Sequence, residues 1–367
     1  MKIRRIDIYR VEIPLTVEYG MSGGRVWRSL DATIVGVTTE SGIIGWGESC
    51  PWGPNYLPGH AGGVRASLDE MAPGLIGLQA NEMDKLNQAM DQLLAGHGYA
   101  KHAIDMACWD AFGKSVNLPL SVLLGGIYQE TLPCVASVST NDAQKVVENV
   151  REDREKSGYS IFSCKITGDL SKDFQVVKAV MEQAEPHESY IFDANMGLNL
   201  PDALCCAEFL SRYNVVFEQP GKTYEEFHAV RKRTRVPLMM DEIFTGMETM
   251  WRIISDKTCE LINLKIAKVG GLSRARLIRD ICVAHGMPMS IQCCGGSEIT
   301  RAAIIHLAQS TRPQYVHSIW DCAELNGIKV VRDAGEVEEG VLRPSGLPGL
   351  GVAPDMAMLG PPVASYL

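Results

Sequence analysis

From residue 127 to about residue 327 the chain repeats a short apolar segment followed by an amphipathic helical segment, and this alternation constrains the fold most strongly. The order is typical of parallel β/α units, because parallel neighbours in a sheet need a helical crossover between them. The pattern predicts eight strands, at residues 134–139, 160–165, 190–193, 215–218, 238–241, 261–265, 288–292 and 315–319. Eight such units indicate a barrel, in which functional side chains gather at the carboxyl ends of the strands.

The segment after the first predicted strand illustrates the helical half of the repeat. Ala143, Val146, Val147 and Val150 recur at i, i+3, i+4 and i+7, which is the spacing of one helix face. Thr140 is a candidate N-cap, and Gly158 is predicted to end the helix.

Five consecutive predicted strands end in a charged residue: Lys165, Asp193, Glu218, Asp241 and Lys265. Neighbouring members of this set are about 25 residues apart, close to one strand, one helix and two loops. Because the ends of parallel barrel strands meet at one rim, three carboxylates should converge there with a lysine on either side. Oxygen ligands of this kind suit Mg²⁺.

Each of these residues, taken alone, has an ordinary structural explanation. An Asp between a strand and a helix, such as Asp193, is more often a helix N-cap than a metal ligand. A single lysine at a strand end is usually solvated. Glu218 is harder to explain as a structural residue, because Glu is a poor helix cap and a carboxylate after a buried strand needs a partner. The regular spacing of all five favours one shared site.

The first 126 residues have a different pattern. Residues 1 to about 60 alternate like strands separated by turns, and residues 62–124 are helical in pattern. We therefore predict an α+β domain at 1–126, a barrel at 127–327 and a C-terminal segment at 328–367 that returns to the first domain. A further strand is predicted at 328–332.

As a set, the motifs of this chain resemble those of the enolase superfamily, muconate-lactonizing subgroup, over nearly the whole length. The matching motifs are Gly45-Trp46-Gly47-Glu48, residues 103–110 with Leu123-Leu124-Gly125-Gly126, Cys164-Lys165-Ile166, Asp193-Ala194-Asn195, Glu218-Gln219-Pro220, Asp241-Glu242, residues 264–271 and Pro348-Gly349-Leu350-Gly351. The resemblance implies an α/β fold in which an α+β capping domain covers a (β/α)7β TIM-like barrel. It also implies one Mg²⁺ per subunit on Asp193, Glu218 and Asp241, with Lys165 and Lys265 as acid/base catalysts.

The second barrel strand departs from the family pattern. Similar proteins often have Lys-x-Lys-x-Gly there, whereas this chain has Ser163 in place of the first lysine and Thr167 in place of the glycine. A lysine at position 163 would help to lower the pKa of Lys165. Three further residues in the same motifs are expected to lie behind the ligands and orient them: Asn195, Glu242 and Lys268.

The arrangement suits the removal of a proton alpha to a carboxylate. Such a proton is weakly acidic, so the charge that develops on its removal must be stabilised, and Mg²⁺ bound to the carboxylate does this. A lysine must be neutral to act as the base, and a nearby Mg²⁺ lowers its pKa. Two lysines on opposite faces permit racemisation, epimerisation or elimination.

Within the subgroup the chain is most similar to enzymes that act on proline derivatives, the cis-3-hydroxy-L-proline dehydratases and the hydroxyproline betaine 2-epimerases. The similarity lies in residues 51–56 with His60, in Trp320 and in residues 361–365. Tyr56 and Trp320 are expected to bracket a ring ammonium by cation–π attraction, with simple core or lid packing as the alternative. Gln292 and Ser297 are further candidates for substrate contact.

Stereochemistry favours dehydration among these activities. In cis-3-hydroxy-L-proline the C2 proton and the hydroxyl lie on opposite faces, so two opposed lysines could serve as base and acid. The polar residues Gln292, Cys293, Cys294 and Ser297 suit a free N–H better than a methylated nitrogen. We predict dehydration to Δ1-pyrroline-2-carboxylate with competing 2-epimerisation. The alternatives are a betaine 2-epimerase and a non-catalytic binding protein, which the presence of all five strand-end residues disfavours.

The amino-acid composition limits the classes of partner that this chain is expected to bind. A net charge of -9 argues against nucleic acid, because no run of lysine or arginine supplies the concentrated basic face that a phosphate backbone requires. No apolar stretch is long enough for a membrane span. The 11 cysteines include adjacent pairs that do not fit a disulfide framework, so a cytoplasmic location is expected. We expect the binding partner to be a small amino-acid or betaine substrate. We also expect the protein to form a homo-oligomer.

Overall fold

The computed structural model describes residues 1–21, 25–139, 142–332 and 334–367. The N-terminal part consists of β1 (Ile3–Met21), β2 (Arg25–Thr39), β3 (Ile44–Ser49), α1 (Ala61–Leu75), α2 (Met83–Leu93), α3 (Gly98–Val116) and α4 (Leu120–Leu123). The three strands form an antiparallel sheet. A strand at the other end of the chain, Ala364–Tyr366, pairs with β1 and extends this sheet.

Strand β3 lies directly on helix α3, and two glycines make this contact possible. A Cβ atom at Gly45 would lie 2.0 Å from the carbonyl oxygen of Ala107, and one at Gly47 would lie 2.0 Å from that of Ala103. Helix α3 is buried on nearly every face. The glycines of this motif therefore serve close packing, which holds the neighbouring Glu48 in the interior.

The rest of the chain is dominated by an eight-stranded parallel sheet and its helices. The elements are β4 (Leu132–Pro133), β5 (Val135–Val138), α5 (Ala143–Ser157), β6 (Ile161–Lys165), α6 (Leu170–Met181), β7 (Ser189–Asp193), α7 (Leu200–Leu210), β8 (Val216–Glu218), α8 (Tyr224–Arg231), β9 (Leu238–Met240), α9 (Met247–Asp256), β10 (Leu261–Lys265), α10 (Ile266–Val269), α11 (Leu272–His285), β11 (Met289–Gln292), α12 (Glu298–Gln309), a 3-10 turn (Pro313–Tyr315), β12 (Val316–Ile319), β13 (Val341–Leu342), α13 (Met356–Leu359) and β14 (Ala364–Tyr366).

Strands β5 to β12 follow one another in sequence order around the sheet. A parallel bridge between Cys134, directly before β5, and Ile319 of β12 links the two ends of the sheet, so the barrel is nearly closed. In the register Lys165 lies beside Asp193, and Asp193 lies beside Glu218, so these side chains share one level of the rim. The expected enolase-like barrel with a separate N-terminal sheet is confirmed.

Most sequence predictions of secondary structure hold. All eight barrel strands are present with bounds close to those predicted, although Asp241 follows β9 instead of ending it. Helix α5 is capped by Asp142, which accepts a hydrogen bond from the backbone N–H of Lys145, and the predicted cap Thr140 lies outside the described residues. The domain bounds after residues 126 and 327 stay a prediction. Within the described ranges, no helix combines the length and apolar character needed to span a membrane.

The strand predicted at 328–332 was wrong. No strand forms there, and the backbone N–H groups of Val330 and Val331 both donate to the carboxylate of Glu298. A buried side chain thus satisfies the backbone groups that a sheet partner would otherwise accept. The apolar pattern correctly indicated burial but not the hydrogen-bonding partner.

Candidate active site

A pocket at the carboxyl ends of the barrel strands contains all five predicted strand-end residues: Lys165, Asp193, Glu218, Asp241 and Lys265. Each of them is at most 9% exposed. The lysines stand on β6 and β10, four strands apart in an eight-stranded barrel, so they occupy opposite walls. The three carboxylates occupy the arc between them.

Each lysine is paired with a carboxylate. Lys165 Nζ lies 2.6 Å from Asp193 Oδ2, and Lys265 Nζ lies 2.5 Å from Asp241 Oδ2. Burial lowers the pKa of both lysines, but the adjacent carboxylates outweigh burial and leave each pKa raised. Both lysines are therefore held as ammonium groups by negative charge that a bound cation could neutralise.

Glu218 stands between the two ion pairs, and no lysine or arginine of the described part of the chain forms an ion pair with it. Its Oε1 accepts a 2.6 Å hydrogen bond from Asn263 Nδ2. Burial, followed by the charges of Asp193 and Asp241, raises the pKa of Glu218 well above its ordinary value. Three buried carboxyl groups thus crowd one another, which is unfavourable unless a cation or protons neutralise them.

The donor set fits a hard divalent cation in its chemistry. It offers only carboxylate oxygens from three neighbouring strands, which suits Mg²⁺. In the arrangement described, Asp193 and Asp241 each direct one oxygen at a lysine. No group of three or more His, Cys, Asp or Glu side chains in the described residues has the geometry of a metal site. The proposed ligands would have to turn from the lysines toward a shared centre.

Of the three residues expected behind the ligands, Asn195 and Lys268 contact a ligand directly, and Glu242 is joined to Asp193 through Asn195. Asn195 donates through Nδ2 to Asp193 Oδ2 at 2.7 Å and to Glu242 Oε1 at 3.0 Å. Lys268 Nζ donates to the backbone oxygen of Asp241 at 2.6 Å. Burial, with Asp241 and Asp193 next in effect, raises the pKa of Glu242 to about 7. Hydrogen bonds of this kind restrict the rotamers of the carboxylates they contact.

Aromatic residues cover the pocket, four from the N-terminal region and Trp320 from the end of β12. Trp52 is central, because its ring lies 5.0 Å from that of Tyr19, 5.4 Å from that of Trp27 and 6.3 Å from that of Trp320. Tyr56 joins this group through Trp27 at 6.3 Å. Tyr19, Trp52, Tyr56 and Trp320 all line the pocket. We call these five rings the aromatic cover.

The two predicted aromatic contacts differ in their surroundings. Tyr56 donates its hydroxyl to Glu242 Oε1 at 2.8 Å, and its ring centroid lies 5.7 Å from Lys265 Nζ. Trp320 stacks on Trp52 with the ring centroids 6.3 Å apart, and among the described residues its buried Nε1 has no hydrogen-bond partner. Both rings line the same pocket, and the ring contacts that join them run from Tyr56 through Trp27 and Trp52 to Trp320.

Of the two polar candidates for substrate contact, only one lines the pocket. Gln292 does so, and its Nε2 donates to Ser290 Oγ at 2.8 Å. Ser297 is fully buried outside the pocket lining, and its hydroxyl donates to Glu48 Oε2 at 2.9 Å. Ser297 stands at the N-cap of α12 with its hydroxyl engaged by Glu48, and its contact with substrate stays a prediction.

Several residues of the site were not predicted from the sequence. Asn263 and Ser163 lie two residues before Lys265 and Lys165, so strand alternation, which puts i and i+2 on one face, was the signal for both. Trp52 lies inside the quoted 51–56 motif, but nothing in its local sequence distinguishes it from Tyr56. Tyr19 comes from the far end of β1, which sequence spacing cannot connect to the barrel.

Comparison with known families agrees with this geometry. The Enolase C-terminal domain-like family matches residues 145–358, and the Mandelate racemase / muconate lactonizing enzyme N-terminal domain matches residues 11–125. The chain belongs to the enolase superfamily. The resemblance read from the motifs is thereby confirmed, and the chain falls among enzymes of lyase and isomerase type.

Individual relatives cover the full chain. A cis-3-hydroxy-L-proline dehydratase of Roseibium aggregatum is 38% identical over 100% of both chains. An N-succinyl-L-Arg/Lys racemase of Bacillus cereus is 29% identical over 96% of this chain and 95% of its own. A mandelate racemase/muconate lactonizing enzyme of Roseovarius nubinhibens, whose structure was determined in complex with magnesium, is 33% identical, covers 100% of both chains and has a TM-score of 0.96.

Proposed function

We propose that this superfamily member is a Mg²⁺-dependent cis-3-hydroxy-L-proline dehydratase with a competing 2-epimerase activity. The observation that carries the proposal is the pair of buried lysines on opposite walls with three carboxylates between them. Two proton-transfer groups across one carbon are what anti elimination and inversion at C2 both require. The dehydratase relative, which is 38% identical over the whole length of both chains, supports the choice of substrate.

Asp193, Glu218 and Asp241 are the proposed ligands of Mg²⁺. Their mutual crowding and the magnesium-bound relative support this assignment. When bound, Mg²⁺ supplies positive charge to the substrate carboxylate, where negative charge develops as the C2 proton leaves. Asn195 orients the carboxylate of Asp193 through the hydrogen bond described above. Lys268 holds Asp241 through its backbone oxygen and, at 3.4 Å, through Oδ1.

Lys165 and Lys265 are the proposed proton-transfer groups. One Nζ removes the C2 proton of the substrate, and the other faces the opposite side of the ring. Each lysine acts as a base only when neutral, and neutralisation of Asp193 and Asp241 removes the charge that raises its pKa. Protonation of the departing hydroxyl yields water, whereas protonation of C2 yields the epimer.

The aromatic cover and Gln292 are proposed to hold the ring. Trp320 and Tyr56 present apolar faces to the ring nitrogen, and the amide oxygen of Gln292 is available to accept from its N–H. The cover also reduces the access of water to the proton-transfer groups. Small size and one carboxylate are the substrate features that the pocket selects.

A second candidate activity is 2-epimerisation of hydroxyproline betaines or proline betaine. The observation in its favour is the aromatic cover itself, since stacked rings of this kind attract quaternary ammonium groups. The same two lysines would exchange the C2 proton without elimination.

The test is proton NMR in D2O with Mg²⁺, with cis-3-hydroxy-L-proline, its trans isomer and a betaine as parallel substrates. We expect loss of water and C2 exchange from the cis isomer, with little elimination from the trans isomer, whose C2 proton and hydroxyl share a face. Exchange of the betaine without reaction of the cis isomer would favour the second candidate. No exchange with any of the three would contradict both.

A further inference from the structure

The wall that carries Lys165 has a set of hydroxyl groups. Ser137 on β5 and Ser163 on β6 are partners in the strand register, and both line the pocket beside Lys165. The hydroxyl oxygens of Tyr19 and Ser137 are 2.8 Å apart. Ser163 lies two residues before Lys165, so both side chains point to the same face of β6. We call Tyr19, Ser137 and Ser163 the hydroxyl cluster.

The wall that carries Lys265 has a different character. Its pocket-lining neighbours include the amide of Asn263, the ring of Tyr56 and the thiol of Cys294. The amide of Gln292, the register partner of Lys265, also lines this wall. The hydroxyl of Tyr56 is engaged by Glu242, and the Cys294 thiol lies 3.2 Å from the Tyr99 hydroxyl. Among the pocket-lining residues that the structure describes, serine hydroxyls occur only on the Lys165 wall.

We propose that the hydroxyl cluster receives the 3-hydroxyl of the substrate as it leaves. The inference rests on the proposed function and deepens it, because it distinguishes the two lysines. Lys265 then faces the C2 proton of the L-configured substrate, and Lys165 faces the departing hydroxyl. Serine and tyrosine hydroxyls both donate and accept, so they can hold a neutral hydroxyl and the water that it becomes.

The proposed step is balanced in atoms and electrons. Lys265 Nζ, neutral, takes the C2 proton, and the C2–H electron pair forms the C2=C3 double bond. The C3–O bond breaks with its electron pair on oxygen, and Lys165 Nζ, as ammonium, gives that oxygen a proton to release water. The enamine then moves a proton from nitrogen to C3, which yields Δ1-pyrroline-2-carboxylate without any oxidant or reductant.

The hydroxyl cluster gives a reason for the serine at position 163, where similar proteins often have a lysine. A lysine at position 163 would carry a second charge into the same wall and fill the space beside Ser137. A serine leaves room for a substituent on the ring and offers it a hydrogen bond. The hydroxyl cluster therefore acts on the leaving group and is not needed for removal of the C2 proton.

The test is the ratio of water elimination to C2 exchange, measured together on cis-3-hydroxy-L-proline in D2O with Mg²⁺. The variants are Ser137→Ala with Ser163→Ala in one chain, and Tyr19→Phe separately. We expect the ratio to fall about tenfold in the double variant, since hydrogen bonds to a developing charge act mainly in the transition state. Ser163→Thr keeps a hydroxyl, so we expect its ratio of elimination to exchange to stay close to the wild-type value.

Ser189→Ala is the matched control. Ser189 is at the opposite end of a barrel strand, where its hydroxyl contacts His317 at 3.2 Å, so its loss should leave the ratio at the wild-type value. A wild-type ratio in both the double variant and Tyr19→Phe would overturn the inference, as would an equal fall in Ser189→Ala. If the wild-type enzyme neither eliminates nor exchanges, the proposed function itself is wrong.

Discussion

The pocket is built from two regions that are held together by different interactions. One is the barrel rim with its five strand-end residues, and the other is the aromatic cover. The rim residues stand on successive strands of one sheet, and short polar hydrogen bonds such as Asn263 to Glu218 and Asn195 to Asp193 hold them. The aromatic cover comes mainly from the N-terminal region and is held by ring contacts of 5.0 to 6.3 Å. Each ring contact contributes about 0.5 to 1.5 kcal/mol beyond its buried area.

This difference separates two kinds of specificity. Charges held at fixed positions determine which bond can react, because small displacements weaken electrostatic stabilisation strongly. Ring contacts tolerate exchange of one apolar group for another, so the cover can change with the substrate. We therefore expect rim variants to affect the chemistry itself and cover variants to affect mainly substrate preference.

The largest effect should follow from changes at the proposed metal ligands. Glu218→Gln removes a charge from the centre of the rim, and we expect kcat to fall by about a thousandfold or more. Mg²⁺ should also stabilise the wild-type fold by mass action, by about 2.7 kcal/mol at 100 times its Kd, and the variant should lose this gain. Steady-state kinetics and thermal melts with Mg²⁺ or EDTA measure both effects.

Glu248→Gln is the control for this prediction, because Glu248 is an exposed carboxylate in the first turn of α9. It should keep wild-type activity and the full Mg²⁺ response. If the melting temperature were the same in Mg²⁺ and EDTA and Glu218→Gln were still active, the assignment of Mg²⁺ to these carboxylates would be contradicted.

An intermediate effect is expected in the aromatic cover. Trp320→Ala and Tyr56→Ala should each lower kcat/KM about tenfold, because a desolvated cation–π contact contributes about 1 to 2 kcal/mol. Tyr56→Phe separates the two roles of Tyr56, since it keeps the ring and loses only the hydrogen bond to Glu242. Unchanged kcat/KM in both alanine variants would show that the rings serve packing alone.

The smallest effect on turnover is expected where the two regions are joined. Glu48 of β3 accepts hydrogen bonds from the backbone and hydroxyl groups of Ser297 and Thr300 at the start of α12. Glu48→Gln should lower the free energy of unfolding by about 2 kcal/mol, since hydrogen bonds to charged groups contribute about 1.5 to 3 kcal/mol each.

Denaturant unfolding measures this change, with Glu40→Gln in the exposed turn after β2 as the control. Because Glu48 is outside the pocket lining, kcat should change less than in Trp320→Ala. Equal stability of Glu48→Gln and Glu40→Gln would contradict the proposed role of this junction.

The sequence predicted the rim far better than the cover, and the reason is periodicity. Lys165, Asp193, Glu218 and Lys265 end strands of a repeating unit, so sequence spacing reports their proximity. Tyr19 and Trp52 reach the site by long-range packing that no repeat encodes. The contact of Ser297 with Glu48 could not be predicted either, because the two residues are 249 positions apart in sequence, in regions with different patterns.

The two-lysine mechanism is tested by comparing deuterium incorporation at C2 with product formation for the wild-type enzyme, Lys165→Ala and Lys265→Ala. The measurement is made in D2O with Mg²⁺ and cis-3-hydroxy-L-proline. We expect Lys265→Ala to lose both exchange and elimination. Lys165→Ala should lose elimination and epimerisation while C2 exchange continues. Retention of elimination by both variants would contradict the two-lysine mechanism, and loss of exchange in Lys165→Ala alone would reverse the proposed roles of the two walls.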